Sequence, residues 1–520
     1  MEIAQLIEVW LRKAPRSVGW PEQGLAIEGD FAGIQKFILK PVPGAKGAAK
    51  RLRGRSLRVV ALADLIATEI VGRFNSAEIF YQAGGRILLH AAGVDDWEAR
   101  LSALQTRLDE FFLTEFNGET VFHLAAHPFS DGRIPVAGLL RKMTLRRKAP
   151  LARILVKEGR WNSSEFHQPA PEADAFRCPA CLSTASGGIP QRDDNDQVIC
   201  RACVADQELG AQLASVKVPC LEPAQNGSLQ FLDGRRYRIA STGRTLDVIH
   251  RLPRDRQGNP LSLTEIAGLA IGARKYLGYL RLDADDIGAK FRVLDGDPGL
   301  TLTLSEILQK FFSGEVQKQL EHPDCKHIYP VYGGGDDVFV IGPWNEAIEF
   351  ARWLGQRLKE LTADNITFSA GLALAKPGQH ILTKADEAEH ALSYYAKRQK
   401  PALHALGTTV PWNVLPHVLQ TAAKLAGHVN RGSIAVSLLQ DMIGLHNRWL
   451  REPDSVRHKA LLHYQVQRNL KGRPDELMEI RDWITRLITG EWPWVGFLAR
   501  YALLARKDAE GKRKEGGPNA

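Results

Sequence analysis

Tyr332-Gly333-Gly334-Gly335-Asp336-Asp337-Val338-Phe339 sets two adjacent carboxylates on a glycine turn between two apolar segments. Ile328 to Tyr332 and Val338 to Ile341 are rich in β-branched and aromatic residues and read as strands. The glycines between them permit positive φ and the close approach of a phosphate. Asp336 and Asp337 are therefore expected at a hairpin tip, where paired carboxylates can hold divalent metal beside a nucleotide. A third acid lies upstream. In Tyr276-Leu277-Gly278-Tyr279-Leu280-Arg281-Leu282-Asp283-Ala284-Asp285-Asp286-Ile287-Gly288 a short apolar strand runs into an acidic loop closed by glycine, and Asp283 is its first carboxylate. Mg²⁺ takes a few carboxylates together with substrate phosphates, so Asp283, Asp336 and Asp337 form a sufficient set for Mg²⁺ or Mn²⁺. Either motif alone is also what an ordinary acidic turn looks like.

The segments around them supply an architecture. Thr303 and Glu306 form a capping-box pattern ahead of Ile307, Leu308, Phe311, Phe312 and Val316 at helical spacing. Ala347, Ile348, Ala351, Leu354 and Leu358 mark a second helix, Ile366 to Ala375 a strand, and Thr383 to Lys397 a further helix. The order βαββαβ is that of a ferredoxin-like sheet, in which the first strand and the central hairpin are neighbours. It is the palm of polymerases and nucleotide cyclases. The pattern also occurs earlier: Leu25 to Ile34 echoes the Asp283 segment, and Ile79 to Leu88, containing Gly84-Gly85, echoes the hairpin. Helices over Ser56 to Phe74 and Asp95 to Phe112 and a strand over Val121 to Ala126 complete a second βαββαβ unit. Asp30 matches Asp283, but Arg86 and Ile87 stand where the later copy has Asp336 and Asp337, so this palm is expected to lack a metal-binding pair.

Between the palms, Cys178-Pro179-Ala180-Cys181 and Cys200-Arg201-Ala202-Cys203 are separated by 18 residues, the spacing of a four-cysteine zinc ribbon with a closed, structural site. Charges interrupt the apolar run at Met1 to Glu8, as a secretory signal would not, which favours zinc over disulfides. Cys220 and Cys325 lack spacing partners and read as buried thiols.

The 520 residues, 44% of them hydrophobic, suffice for three or four domains. No apolar run is long enough to span a membrane. The net charge of +9 and pI near 9.2 point to an anionic partner. From Phe31 to Ala63 no acidic residue occurs, while Lys36, Lys40, Lys46, Lys50, Arg51, Arg53, Arg55 and Arg58 accumulate. Pro41 to Ala49 is rich in Gly, Pro and Ala, so these cations are expected on a flexible loop before a helix, placed to meet nucleic-acid phosphates, with Lys46, Lys50, Arg51 and Arg53 as the RNA contacts. Arg141, Lys142, Arg146, Arg147 and Lys148 form a second cluster. After Pro411-Trp412 the periodicity is helical throughout, from Val418, Ala422 and Leu425 through Ile434, Leu438 and Met442 to Trp483, Ile484 and Leu487, and Lys507 to Ala520 reads as disordered.

Gly29-Asp30 with Gly33-Ile34-Gln35-Lys36-Phe37, the basic run Lys46 to Ser56, the two CxxC knuckles and Gly334-Gly335-Asp336-Asp337 together resemble the large polymerase-cyclase subunit of type III CRISPR effector complexes, the Csm type above all. The resemblance runs from about residue 25 into the helical tail. It implies an α+β chain organised as a short segment (1–24), a first palm (25–135), a linker and zinc-binding domain (136–270), a second palm (271–410), a helical domain (411–506) and a tail (507–520). It implies cytoplasmic, prokaryotic antiviral defence in which guide RNA, target RNA and other effector subunits are the partners. ATP would be the substrate, converted to oligoadenylates, usually cyclic, when target RNA binds. Carried over by motif, Asp283, Asp336 and Asp337 hold catalytic Mg²⁺ or Mn²⁺, Gly333, Gly334 and Gly335 leave room for triphosphate, and Lys397 contacts phosphates. Gly29, Arg55, Ser56, Gly84 and Gly85 are the candidates for the acceptor ATP. Many members open with a nuclease domain built on adjacent His and Asp; no His-Asp dipeptide occurs here, so no single-stranded DNase activity is expected. Two other readings are a catalytically silent scaffold seating the guide RNA end and small subunits, and a stand-alone diguanylate-cyclase-like enzyme. Intact aspartates disfavour the first, and the duplicated palm and zinc knuckles the second.

Overall fold

The computed structural model describes residues 3–12, 19–40, 47–74, 76–92, 95–157, 159–161, 176–183, 190–194, 196–453, 456–469, 478, 481–486, 490 and 492–507. Lys46, Leu487 and residues 508–520 lie outside them. Gly24–Ala32 (β1), Glu78–Ala83 (β2), Arg86–Ala91 (β3) and Val121–Phe129 (β4) form an antiparallel sheet in the order β2-β3-β1-β4. Leu277–Ala284 (β5), Tyr329–Gly334 (β6), Asp337–Pro343 (β7) and Phe368–Ala375 (β8) repeat that order as β6-β7-β5-β8, extended at β8 by Ala402–Ala405 and Thr408–Pro411. Two palms are present, as the repeat requires.

Strand alternation decides what each face of the second palm covers. Leu277 and Tyr279 of β5, with Phe339 and Ile341 of β7, join one core with Ile27, Leu89 and Leu124 of the first palm. Leu280 and Leu282, with Val338 and Val340, point the other way, into a core shared with Val418, Leu438 and Phe497 of the helical region. That region comprises Leu415–Asn430, Val436–Trp449, Arg457–Asn469 and Val495–Leu504. Helix Ile3–Arg12 does not join the first palm that it precedes: Leu6 and Ile7 lie in the core of the second.

Two sequence expectations change. Helix Pro298–Gln309 begins ahead of the Thr303 and Glu306 pair, because the Asp297 side chain accepts from Leu300 N at 2.8 Å and Pro298 fills the first turn. Thr303 bonds back to Gly299 O instead. The long helix of the first palm, α1, runs over Ala48–Arg73 and so contains Lys50, Arg51, Arg53, Arg55 and Arg58, which are helical and not on a loop. Its first turns are Ala, Lys, Arg and Leu, all strong helix formers. Arg51, Arg53, Arg55 and Arg58 are buried against α2, Arg201–Ser215, which follows the second cysteine knuckle.

Candidate active site and metal centre

The two hairpins share more than the sequence repeat shows. Each has a bulge in its first strand, between Ile79 and Tyr81 in one and Pro330 and Tyr332 in the other. From there Tyr81 pairs with Leu88, Gln82 with Ile87 and Ala83 with Arg86; likewise Tyr332 pairs with Phe339, Gly333 with Val338 and Gly334 with Asp337. Counting from the bulge corrects the alignment by one residue: Arg86 stands at the position of Asp337, and Gly85 at that of Asp336. Asp30 pairs with Arg86 as Asp283 pairs with Asp337, which supports the equivalence of Asp30 and Asp283.

The hairpin tips touch. A Cβ on Gly84 would lie 3.4 Å from Gly334 O and Gly335 Cα, and Gly335 has φ 68°, so the close approach uses glycine on both sides. Around the contact is a cavity of about 360 Å³ lined by Asp30, Tyr81, Gly84, Arg86 and Arg147 from the first palm and by Gly334, Gly335, Asp336 and Asp337 from the second. Gly84, Gly85, Gly333 and Gly334 line a smaller cavity, about 200 Å³, behind the tips. Gln309 fixes the turn by accepting from Gly335 N at 3.1 Å while donating to Asp247 at 2.7 Å.

Asp336 and Asp337 line the second-palm wall, and Asp283 pairs with Asp337 across the sheet beside them. Burial, opposed by Lys397, pushes Asp283 up to about 6. Burial followed by the negative charge of Asp336 pushes Asp337 up to about 8. Asp336 is raised by burial too, and Lys397 and Arg86 oppose the rise. Acids that hold protons above the usual carboxylate range because of burial and mutual repulsion are ready to exchange them for divalent cations. Lys397 Nζ bonds to Asp283. Tyr332 donates to Asp337 and accepts from Arg281 Nη2 at 2.6 Å. Asp285, the next acid in the loop, is excluded: it is buried and accepts from Thr367 and Ser369, each at 2.9 Å, which ties β5 to β8.

The cysteines converge as their spacing requires. Cys178 Sγ lies 4.0 Å from Cys203 Sγ and Cys181 Sγ 3.8 Å from Cys200 Sγ, too far for disulfides and near the ~3.8 Å edge of a tetrahedron with Zn–S of ~2.3 Å. Among the described residues this quartet alone brings three or more metal-ligating atoms within 4.8 Å of one another, so the aspartates are spread more widely. The residues fit a closed zinc site. Cys220 and Cys325 are buried and unpaired by disulfides.

Not every candidate reaches the cavity. Gly29 is walled in by Phe122 and Ile87, so it serves packing within the sheet. Arg55 is bonded to Asp206 at 2.8 Å and to Phe37 O at 3.0 Å, and Ser56 is buried in the same helix, so neither faces the cavity between the hairpins. Arg51 and Arg53 are likewise turned inward, Arg51 to Gln207 and Arg53 to Gly210 O at 3.1 Å, which removes them from a phosphate-facing surface. Lys50 remains half-exposed beside Asp194 and, with Arg53, borders a cavity of about 460 Å³ at the start of α1. That cavity is larger than the one at the hairpins, but Glu265 is its only carboxylate, so the hairpin cavity, with its adjacent aspartates, is the candidate site for divalent metal. Arg86, Arg147 and Gln309 are the residues that motif reading had not placed in the site.

Residues 276–403 match the family Cas10/Cmr2, second palm domain, and residues 24–153 match Csm1 subunit domain B. The CRISPR system single-strand-specific deoxyribonuclease Cas10/Csm1 (subtype III-A) of Thermococcus onnurineus is 24% identical over 92% of this chain and 70% of its own length. The chain is similar to Cas10/Csm1 over most of its length. It also matches the protein of that name from Mycobacterium tuberculosis at 24% identity, over 66% of the chain and about half of the relative (49%). Similar folds occur in an apo Csm1-Csm4 cassette (TM-score 0.70, 19% identity, 93% of this chain and 70% of that one) and in the cassette in complex with cA3 (TM-score 0.68, 19% identity, the same coverage). No described helix is long and apolar enough to cross a membrane.

Proposed function

We propose that this chain joins ATP into oligoadenylates, cyclic in the usual case, as the nucleotidyltransferase of a type III-A CRISPR effector, with guide RNA, target RNA and other effector subunits as partners. The observation that carries the reading is the meeting of the two hairpin tips around one cavity with Asp336 and Asp337 on its second-palm wall and Arg86 and Arg147 on its first-palm wall. Solved cassettes of similar fold hold one ATP, cA3 or cA4, which supports a cavity of this kind as a nucleotide site.

Asp283, Asp336 and Asp337 would hold Mg²⁺ or Mn²⁺, which when bound would neutralise the phosphate charge and lower the pKa of the attacking hydroxyl. Lys397 is placed to leave Asp283 for a phosphate oxygen. The backbone at Gly334 and Gly335 admits the triphosphate without side-chain hindrance. Gly84 and Arg86 face the same space from the first palm and would position the second ATP. The 3′-oxygen of one ATP attacks the α-phosphorus of the other, the bond to pyrophosphate breaks, and the hydroxyl proton leaves to solvent. The reading assigns no single-stranded DNase to these 520 residues, which hold no His-Asp dipeptide.

The test is mass spectrometry of products from the reconstituted complex with ATP and Mg²⁺, with and without matching target RNA, beside Asp336→Ala/Asp337→Ala. Target-dependent oligoadenylate that disappears in the variant is expected. No product under any condition, with guide and target still bound, would leave the scaffold reading in its place.

A further inference from the structure

The cavity of about 460 Å³ lies at the N-terminus of α1, where three parts of the fold meet. The first turns of α1 form one wall and residues 260–265 another. The second palm supplies the third, through Leu277 and Tyr279 of β5 and the loop that opens helix Ile381–His390. The volume falls in the roughly 300–1,000 Å³ range of small-molecule sites. Tyr279 stands on β5 ahead of Asp283, about 13 Å away along the strand. The two cavities share no lining residue.

Polar groups open into this space without protein partners. Tyr279 is 2% exposed, and among the described residues its hydroxyl has no hydrogen-bond partner. Burial alone pushes the phenol up, so the group keeps its proton and is a donor. A buried hydroxyl left unpaired is unfavourable, and a ligand in the cavity would pair it. Arg53 is 4% exposed; its Nε donates to Gly210 O at 3.1 Å and its Nη1 to Tyr329 OH at 3.2 Å, while Nη2 has no partner among the described residues. Lys50 is half-exposed, with Nζ 3.4 Å from Asp194. At the start of the 26-residue helix, Gly47 has no side chain to cap it, so the first N–H groups and the helix dipole favour an anion there.

The remaining walls suit more than a bare anion. Leu261, Leu277 and Ile381 make one side apolar. Glu265 accepts from Ser262 N at 2.7 Å through Oε2, which leaves Oε1 to accept from a hydroxyl. A carboxylate so placed repels free phosphate and suits a ribose. We propose that this cavity is a further nucleotide site, which takes a nucleoside monophosphate with its phosphate at the start of α1 beside Lys50 and Arg53, its ribose towards Glu265 and its base against the apolar side, with Tyr279 donating to the ligand. The site needs no metal and stands independently of oligoadenylate synthesis at the hairpins.

Equilibrium dialysis of labelled AMP against the full chain in EDTA, which keeps metal from the aspartates, tests this. The parent is expected to take up one AMP. Tyr279→Phe, which keeps the buried ring, and Lys50→Ala are each expected to weaken binding by about fivefold or more, the scale of one lost contact, while Asp336→Ala/Asp337→Ala stays within about twofold of the parent. Adenosine and inorganic phosphate should each compete at least about tenfold less well than AMP. No saturable uptake up to about 10 mM AMP overturns the site, as does parent-like binding by either Tyr279→Phe or Lys50→Ala. Loss of binding in Asp336→Ala/Asp337→Ala would move AMP to the hairpins and overturn it equally, and phosphate competing as well as AMP overturns the nucleoside assignment. A 5′-phosphorylated RNA end offers the same chemistry as AMP. Displacement of AMP by a short RNA with a 5′-phosphate, but not with a 5′-hydroxyl, assigns the site to strand ends; displacement by neither assigns it to free nucleotides, and displacement by both overturns the monophosphate.

Discussion

The two palms carry the same hairpin with its charges reversed. Glu28 and Arg86 in the first palm occupy the positions of Arg281 and Asp337 in the second, since Glu28 pairs with Leu88 where Arg281 pairs with Phe339. In the first palm the two bond directly, Arg86 Nε to Glu28 Oε1 at 2.6 Å. In the second, Arg281 reaches Asp337 through the Tyr332 hydroxyl. The sheet requires that a charge near the bulge be balanced and is indifferent to its sign. The cavity is not: Asp337 beside Asp283 creates a demand for cations, whereas Arg86 beside Asp30, itself bonded by Arg147, leaves none.

The largest expected effect removes the distinguishing acid. Asp337→Ala should lower nucleotide turnover by on the order of 10³-fold or more, the scale of losing a preorganised electrostatic group, whereas Arg86→Ala should cost about tenfold and chiefly in KM. Similar losses in kcat for the two would mean that both palms do chemistry. Next, Lys397→Ala should reduce turnover by roughly 10- to 100-fold. It should do so more at pH 6.5 than at pH 8, because losing the lysine moves the Asp283 carboxyl further up; a uniform loss across pH would separate Lys397 from Asp283.

A pH series sharpens the contrast. Asp283 at about 6 and Asp337 at about 8 both lie above the ordinary value of 3.8, so the folded, metal-free site binds protons more tightly than the unfolded chain. Stability of the metal-free protein should therefore fall as pH rises from about 4 to 8. Mn²⁺, which displaces those protons, should gain roughly tenfold in affinity per pH unit for each proton released between pH 6 and 8. Calorimetry showing flat affinity would dismiss these acids as ligands. The smallest effect is expected from Glu28→Arg/Arg86→Asp, which copies the second palm's polarity into the first. The pair is partly exposed, so stability should change by about 1 kcal/mol or less, read as a small Tm shift. No added Mn²⁺ should bind, since Gly85 stands where Asp336 would be; a doubled stoichiometry would show that polarity alone makes the site.

Much of the second palm was legible because its signals are local: β-branched runs, a glycine turn and an acid at each strand end. The cysteine quartet was legible for the same reason. The basic run was not. Nothing between Lys50 and Arg58 distinguishes a solvated face from a buried one, because the decisive partners, Asp206 and Cys203, lie about 150 residues further on and meet α1 only through the fold. The one-residue misalignment of the hairpins has another cause. Matching Gly84-Gly85 to Gly334-Gly335 follows composition, while the bulges at Phe80 and Val331, invisible in composition, set the true register. Likewise Thr303 and Glu306 satisfy a capping pattern that Asp297 and Pro298 had already pre-empted.

Helices Ile3–Arg12 and Val495–Leu504 both seal the second palm, with Leu6 and Phe497 in one core, Tyr501 edge-on to Trp344 at 4.9 Å and Ala273 N bonded to Arg506 O at 2.8 Å. On the ribosome, the aspartates therefore emerge well before the last helix that closes their domain. At ordinary synthesis rates the wait is roughly 10–30 s, during which the Leu280, Leu282 and Val340 face lacks part of its cover. A nascent chain of this kind is a natural client for chaperones until Val495–Leu504 has emerged to complete the core.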